Sequence, residues 1–181
     1  ENKKVLLERK RGKKGQLAAR ITKDKRTIEE LKRQIEQRKK TPADATGFGP
    51  GYDVSLDPSK GTITVTLDNA ILFDSGKAEL KRATSTELDH IYSVLRDKYS
   101  SKQIDVVGHT DTDPIKKSKW KDNWELSAQR ALSVVRYLVK KGISEEKIQA
   151  TGRGQSQPIA SNSSSSGKAK NRRVEIVVHM R

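Results

Sequence analysis

Residues 103–143, with the sequence QIDVVGHTDTDPIKKSKWKDNWELSAQRALSVVRYLVKKGI, decide the fold. The first five of them, 103–107, are rich enough in apolar, β-branched side chains to predict a β-strand. Residues 123–141 carry apolar side chains at helical spacing and end in two lysines before Gly142, which is typical of a helix C-terminus. A strand, a polar loop and an amphipathic helix are therefore expected in direct succession.

The same alternation of strands and helices continues on both sides of this segment. Residues 61–67, GTITVTL, alternate apolar side chains with threonine, which predicts a strand with one buried face. Residues 78–98 have the spacing of another amphipathic helix. Further strands are predicted over 147–151 and from Arg173, with a loop rich in Gly, Ser and Asn over 152–167. This order predicts an α/β sandwich, in which helices pack on one sheet.

The distribution of charge divides the chain into two regions. The 181 residues carry a formal net charge of +15, and residues 1–40 hold 16 Lys and Arg against 6 Asp and Glu. These 40 residues have too few apolar groups for a core of their own and are predicted to form a basic helical spacer. Residues 41–51, TPADATGFGPG, are rich in Pro and Gly and predict a linker. Residues 52–181 then form a single folded domain.

A short heptad pattern runs through the basic segment. Apolar residues follow a four-three spacing, and two charged residues share their seam, which consists of Leu17, Ile21, Asp24, Ile28, Leu31, Ile35 and Arg38. A helix with this pattern has one apolar stripe that needs a partner chain or the body of the folded domain to bury it. A short coiled coil and a lone charged spacer helix both remain open, because only three heptads are present.

Composition and motifs narrow the classes of function. The chain contains no cysteine, which excludes disulfides, thiol catalysis and cysteine zinc sites. It has no Gly-x-Ser-x-Gly, P-loop or His-Glu-x-x-His motif, so neither an enzyme nor a cofactor is predicted. His109, Asp111 and Asp113 alternate like metal ligands, but this loop guarantees too few oxygen donors, and no metal site is predicted.

The excess of basic residues leaves nucleic-acid or other polyanion binding as an alternative function. Such binding would depend steeply on salt concentration and would be indifferent to Asp111. The eight aromatic residues are not interleaved with the basic ones as a base-stacking surface requires, so no specific nucleic-acid partner is expected.

Three segments of the sequence stand in the order and at the spacing of a known family. They are ILFDSGKAEL at 71–80, GHTDTDPIKKSKWKDNWELSAQRALSVVRYLVKKGI at 108–143 and SNSSSSGKAKNRRVEIVV at 161–178. Together they resemble the OmpA-like peptidoglycan-binding domain, particularly its MotB branch, over roughly residues 62–179. The resemblance implies a domain of βαβαβ type with helices packed on a mixed sheet.

The resemblance also implies a non-catalytic function. Domains of this family hold cell-wall peptidoglycan through the diaminopimelate of its stem peptide, whose distal centre carries an ammonium beside a carboxylate. By resemblance, Asp111 pairs with the ammonium and Arg130 with the carboxylate, since a planar guanidinium makes two parallel hydrogen bonds to such a group. A structural salt bridge between Asp111 and Arg130 is the alternative reading of the same two residues.

Six further residues are assigned to the peptidoglycan site by the same resemblance: Asn123, Leu126, Asp74, Ser75, Gly76 and Arg173. Each also has a purely structural interpretation. Asn123 is suited to cap the following helix, unless Asp122 caps it together with Glu125. Leu126 fits the core, and Arg173 fits the edge of a strand.

The family implies a location in the periplasm, within the cell envelope. No apolar run approaches the roughly 18 residues that span a bilayer, and the sequence begins with Glu1. A membrane anchor or membrane-protein partner is therefore expected through a preceding segment, as in a flagellar-stator subunit or an outer-membrane Pal-like lipoprotein. The helical spacer predicts a homodimer if its seam forms a coiled coil. A wall hydrolase is disfavoured, because no metal triad or activated nucleophile is visible.

Overall fold

The computed structural model describes residues 15–31, 41–116 and 118–181, and the chain forms two compact units, Glu1–Thr41 and Pro42–Arg181. In the first unit residues 15–31 are helical, and we label this helix α1. Its seam residues Leu17, Ile21, Ile28 and Leu31 are between 49% and 61% exposed. The remaining seam positions Ile35 and Arg38 lie outside the described residues. Within the described ranges, none of the helices combines the length and the apolar character needed to cross a membrane.

The second unit contains five strands and five α-helices among its described residues. In chain order they are α2 (Pro42–Thr46), β1 (Asp53–Asp57), β2 (Thr62–Asp68), α3 (Asn69–Leu72), α4 (Ser85–Tyr99), β3 (Gln103–Gly108), α5 (Asn123–Lys141), β4 (Ile148–Gly152), α6 (Ser165–Asn171) and β5 (Arg173–His179). Two single 3₁₀ turns, Arg82–Thr84 and Glu145–Lys147, precede α4 and β4.

The five strands form one mixed sheet in the order β1-β2-β5-β3-β4. Only the β3–β4 pair is parallel, and the other three pairs are antiparallel. Val65, Ile176 and Val106 lie side by side on the three central strands and are fully buried. Because side chains alternate between faces along a strand, this register gives the sheet one apolar face for the helices. The predicted α/β sandwich is confirmed.

Helices α4 and α5 supply the other half of this core. Leu88, Ile91 and Leu95 of α4 and Val134 and Leu138 of α5 are completely buried. Their spacing of three, four or seven residues places them on one face of each helix. The resulting two-layer packing fixes the position of α5, which carries several of the predicted site residues.

The interpretation of residues 41–51 as a linker is wrong. Pro42–Thr46 is helical, and Phe48 is completely buried with its ring 6.1 Å from that of Tyr99. Gly47 and Gly49 adopt positive φ angles of 92° and 80°, which turn the chain so that Phe48 enters the core. Composition suggested a linker because these turn-forming glycines flank a single apolar anchor. The folded unit therefore begins at Pro42 rather than at residue 52.

The helix predicted over 78–98 starts later than expected. Phe73 and Leu80 form an isolated antiparallel bridge, and the Lys81 amide donates to the Leu72 carbonyl. These bonds hold residues 78–81 in an extended hairpin, so that α4 begins only at Ser85. Strand β1, helix α3 and helix α6 were not predicted, since each is short.

Replacing Phe48 with alanine is expected to destabilise the folded unit by ~3–5 kcal/mol, the usual effect of removing a buried aromatic side chain. Denaturant unfolding of the whole chain measures the change. Leu56→Ala is the matched control, because Leu56 is 47% exposed on β1. An unchanged unfolding midpoint for Phe48→Ala would contradict the assignment of residues 42–51 to the fold.

Candidate functional site

Two glycines allow α5 to approach the ends of β3 and β4 closely. A Cβ atom at Gly108 would lie 2.1 Å from the Ser127 carbonyl oxygen, and one at Gly152 would lie 2.6 Å from the Ala128 amide nitrogen. Only glycine tolerates such contacts. The first half of α5, including Arg130, is thereby brought next to the loop that follows β3.

A cavity of about 630 Å³ opens at this point of the molecule. Seven of the eight predicted site residues line it, namely Asp74, Ser75, Gly76, Asp111, Asn123, Leu126 and Arg130. They come from the α3–α4 connection, the β3–α5 loop and the start of α5. Its volume is in the usual range for sites that bind small molecules.

Asp111 is a buried carboxylate with both oxygens engaged. Its side chain lies within 2.5 Å of Arg172, whose Nη1 donates to Oδ2, and the Asp113 amide donates to Oδ1 at 2.9 Å. Asp111 is only 5% exposed. The alternative reading, a salt bridge between Asp111 and Arg130, is therefore replaced by a pair between Asp111 and Arg172.

Arg130 is a buried cation in the same cavity, with 5% of its surface exposed. Its Nε donates to the Lys77 carbonyl at 2.9 Å, and its guanidinium lies 5.3 Å from the centre of the Phe73 ring. Among the described residues no carboxylate forms an ion pair with it. Burial, reinforced by the nearby Arg172 and partly opposed by Asp111, lowers the pKa of Arg130 to about 10. The group stays charged at neutral pH but has lost much of its hydration, which favours an anionic ligand.

The start of α5 resolves the two readings of Asn123. The Asp122 carboxylate accepts the Glu125 amide proton at 2.8 Å and so caps the helix. Asn123 is therefore free to bond elsewhere. Its Nδ2 donates to the backbone carbonyls of Asp111 and Asp113 at 3.3 and 3.0 Å and to the side-chain oxygen of Gln155 at 3.0 Å. Asn123 therefore stiffens the β3–α5 loop at the edge of the cavity.

The Asp74–Gly76 loop forms one wall of the cavity and is held by the β3–α5 loop. The indole Nε1 of Trp120 donates to the Gly76 carbonyl at 3.0 Å. Gly76 has a φ of 69°, and Ser118 packs against it. Leu126 lines the same cavity and is 4% exposed, so it serves the core and the site together.

Arg173 does not line the cavity, and its neighbour Arg172 does. Arg173 is 3% exposed and donates from Nε to Glu175 at 2.7 Å and from Nη2 to the Gln157 carbonyl at 3.2 Å. Consecutive residues at the start of a strand point to opposite sides, so only one arginine of the pair can face the cavity. The expectation for Arg173 is corrected: its contacts are with Glu175 and the loop before α6.

Glu175 makes the stability of the fold depend on pH in the acidic range. Burial alone would raise its pKa, but the contact with His109 and the charged hydrogen bond from Arg173 outweigh burial and lower the pKa to about 2. Because this is below the ordinary value of 4.5, the ionised group stabilises the fold above about pH 4.5. That stabilisation is lost as the pH falls from 4.5 towards 2.

Unfolding measured across this pH range is expected to show a steeper loss of stability for the wild type than for Glu175→Gln. Glu145→Gln, at an exposed position, is the matched control and is expected to follow the wild type. Parallel pH profiles for the wild type and Glu175→Gln would contradict this role.

The three residues that alternate like metal ligands face different partners. His109 is 1% exposed with Nε2 3.4 Å from Glu175, Asp111 pairs with Arg172, and Asp113 pairs with Lys168 at 2.7 Å. In the described part of the chain, no group of three acidic or histidine side chains is arranged to hold a metal ion.

Sequence reasoning missed several residues that line the cavity. They are Asn69, Ala70, Phe73, Lys81, Thr110, Asp113, Pro114, Ile115, Lys116, Ser118 and Arg172. Arg172 lies within a quoted motif, as do Phe73, Thr110, Asp113, Pro114, Ile115, Lys116 and Ser118, so the family resemblance pointed to their segments without singling them out. Asn69, Ala70 and Lys81 lie outside the quoted motifs and reach the cavity through tertiary packing, which leaves no periodic signal in the sequence.

The arrangement of motifs around this cavity agrees with a known family. The model of the OmpA family matches residues 72–172, more than half of the chain. The chain belongs to the OmpA family. The resemblance inferred from the three motifs is thus confirmed.

Individual relatives of this OmpA-family chain support the same assignment. It is 35% identical over 117 residues to motility protein B of Bacillus subtilis, covering 64% of this chain and 44% of that protein. The chain spans about half the length of the curated relatives it matches.

Solved structures share the fold. A MotB-like protein from Desulfovibrio vulgaris has a TM-score of 0.69 at 30% identity, covering 86% of this chain and 98% of that one. The cell wall anchor of the T6SS from Pseudomonas aeruginosa has a TM-score of 0.64 at 33% identity, covering 71% and 88%. The two-layer arrangement of the described domain is therefore that of MotB-like proteins.

Proposed function

We propose that this chain is a non-catalytic module that binds cell-wall peptidoglycan and anchors a membrane-attached partner to the wall. The observation that carries the proposal is one cavity lined by both a buried carboxylate, Asp111, and a buried guanidinium, Arg130. Support comes from the family, since a structural neighbour is described as a cell wall anchor.

The proposed ligand is the distal centre of meso-diaminopimelate, which presents an ammonium next to a carboxylate. Asp111 pairs with the ammonium, sharing its carboxylate with Arg172 or displacing that side chain. Arg130 is oriented by its bond to the Lys77 carbonyl and binds the ligand carboxylate through its remaining N–H groups. Burial of both groups strengthens these interactions relative to water.

Co-sedimentation with purified cell walls tests this proposal. The wild-type chain is expected to sediment with walls whose stem peptide contains meso-diaminopimelate and to stay in solution with walls that contain lysine at that position. Lysine keeps an ammonium but lacks the adjacent carboxylate. Equal sedimentation with both walls, released by salt alone, would favour the polyanion-binding alternative.

We further propose that the N-terminal segment is a stalk that dimerises as a coiled coil. In the four-three pattern Ile21 and Ile28 occupy a positions, while Leu17 and Leu31 occupy d positions, and this choice of side chains favours two parallel strands. About half of each of these four side chains is exposed in the single chain. A second copy would bury them.

Sedimentation equilibrium of the full chain tests the stalk. The wild type is expected to be a dimer, and Ile21→Asn with Ile28→Asn is expected to be a monomer with an unchanged folded domain. Thr22→Asn, outside the seam, is the matched control and stays dimeric. A monomeric wild type would identify the segment as a lone spacer helix.

The proposed location is the periplasm. A stalk of 40 helical residues would span on the order of 60 Å at ~1.5 Å per residue, enough to carry the domain from a membrane towards the wall. The membrane attachment is proposed to lie at the N-terminal end of the stalk.

A further inference from the structure

Trp124 differs from every other aromatic residue of this chain in its exposure. All eight aromatic residues lie in the described ranges, and seven of them are buried or half-buried. Trp124 is 53% exposed, on the first turn of α5. A single exposed apolar side chain is common on protein surfaces, so exposure alone assigns no function.

The indole of Trp124 is held against a rigid part of the fold. A Cβ at Gly154 would lie 3.3 Å from its Cδ2 atom, so the ring rests on the backbone after β4. Ser127 ties the two segments together, because its hydroxyl donates to the Trp124 carbonyl and accepts the Gly154 amide proton, both at 2.9 Å. A platform fixed in this way loses little conformational freedom when a ligand packs on it.

Trp124 directly follows a residue that lines the cavity described above. The preceding residue, Asn123, lines the cavity and donates to the Asp113 carbonyl on its rim. The same amide donates to Gln155, which is exposed and follows Gly154. The platform and the cavity are therefore joined through one hydrogen-bonded side chain.

We propose that the exposed part of Trp124 binds a pyranose ring of the glycan strand whose stem peptide occupies the cavity. This inference rests on the proposed function. The C–H groups on one face of a sugar ring carry partial positive charge and pack on the electron-rich face of an indole. Two residues separate diaminopimelate from the sugar in the stem peptide, a reach of roughly 10 Å when extended.

The surroundings of Trp124 suit a sugar better than a protein partner. A stable protein interface buries ~800 Å² on each side, with an apolar centre. In the described part of the chain, Trp124 is the only large exposed apolar side chain of α5, and the neighbouring Arg153, Gln155 and Ser156 are exposed and polar. One apolar ring bordered by hydrogen-bonding groups matches a ligand that has an apolar face and polar edges.

Two soluble ligands distinguish binding at Trp124 from binding in the cavity. They are the free stem tripeptide containing meso-diaminopimelate and the same tripeptide attached to its disaccharide. Calorimetric titration into the full chain gives both affinities. We expect the disaccharide to improve wild-type binding about tenfold. Trp124→Ala is expected to lose this gain while binding the free peptide as the wild type does, and Trp124→Tyr is expected to retain part of it.

Leu56→Ala removes a similarly exposed apolar side chain from β1 and is the matched control, with both affinities unchanged. If the disaccharide adds nothing for the wild type, or if Trp124→Ala keeps the gain, the inference is wrong while the proposed function stands. An equal loss of affinity for both ligands in a folded Trp124→Ala would also overturn the inference, because Trp124 would then only support the structure of the cavity. If the wild type binds neither ligand, the proposed function fails and the inference fails with it.

Discussion

Replacing Arg130 with alanine is expected to weaken binding of the diaminopimelate stem peptide about a hundredfold or more. The guanidinium is 5% exposed, and no described carboxylate pairs with it, so the ligand carboxylate would form its only direct ion pair. Loss of a buried charge-assisted pair costs ~2–5 kcal/mol in binding, and ~2.8 kcal/mol corresponds to a hundredfold. Arg130→Lys is expected to recover only part of the affinity, because an ammonium cannot make two parallel bonds.

Arg136→Ala provides the matched control for this prediction. It makes the same chemical change on the same helix, at an exposed position outside the cavity. Titration of the stem peptide into both variants, with thermal unfolding to verify the fold, gives the comparison. Equal affinities of Arg130→Ala and Arg136→Ala for the stem peptide would show that Arg130 does not contribute to binding.

Replacing Asp111 with asparagine is expected to abolish recognition of the ligand ammonium, with a loss of similar size. Asparagine preserves the shape and can still accept the Asp113 amide proton that Oδ1 accepts at 2.9 Å. It removes the negative charge that pairs with Arg172 and also acts on Arg130. A ligand cation would then lie near two guanidinium groups without the carboxylate that pairs with it, so its binding loses an attraction and meets more repulsion.

Asp89→Asn is the matched control for the charge change. The Asp89 side chain, on α4, is 45% exposed and pairs with Lys141 at 2.7 Å. Lys141 is the last residue of α5, whereas the cavity lies at the start of that helix. This variant is expected to bind the stem peptide like the wild type. Retention of full affinity by a folded Asp111→Asn would show that charge at this position does not contribute to binding.

Periodic segments of the sequence predicted their structure well. Helix α5 spans Asn123–Lys141 as expected, because its apolar spacing is regular and Asp122 and Gly142 provide clear ends. Strands β2 and β5 lie within a residue of the prediction, since one face of each is buried and the other is not. The local pattern of apolar residues was sufficient to predict an element that packs on the core along its whole length.

Other segments depend on contacts that the sequence does not reveal locally. Phe48 inserts into the core between two glycines in a segment whose composition resembles a linker. The start of α4 is set by the bridge between Phe73 and Leu80, which are separated by a turn. In both cases a tertiary contact overrides the local propensity of the chain.

The candidate site was predictable to the extent that family motifs carry it. Asp111, Arg130 and Asn123 could be named from the quoted segments, and the structure brings them to one cavity. The choice between Arg172 and Arg173 could not be made, because the strand begins between them and decides which one faces the cavity.

The central claim is that Asp111 and Arg130 together bind one centre that carries an ammonium and a carboxylate. Calorimetric titration of the full chain with the stem tripeptide and with its analogue amidated at the distal diaminopimelate carboxylate tests it most directly. Amidation preserves the size and the ammonium but removes the partner of Arg130. We predict that the wild type binds the amidated peptide at least tenfold more weakly than the unmodified peptide. Arg130→Ala is expected to bind the amidated peptide no more weakly than the unmodified one. Equal affinity of the wild type for both peptides would contradict the account.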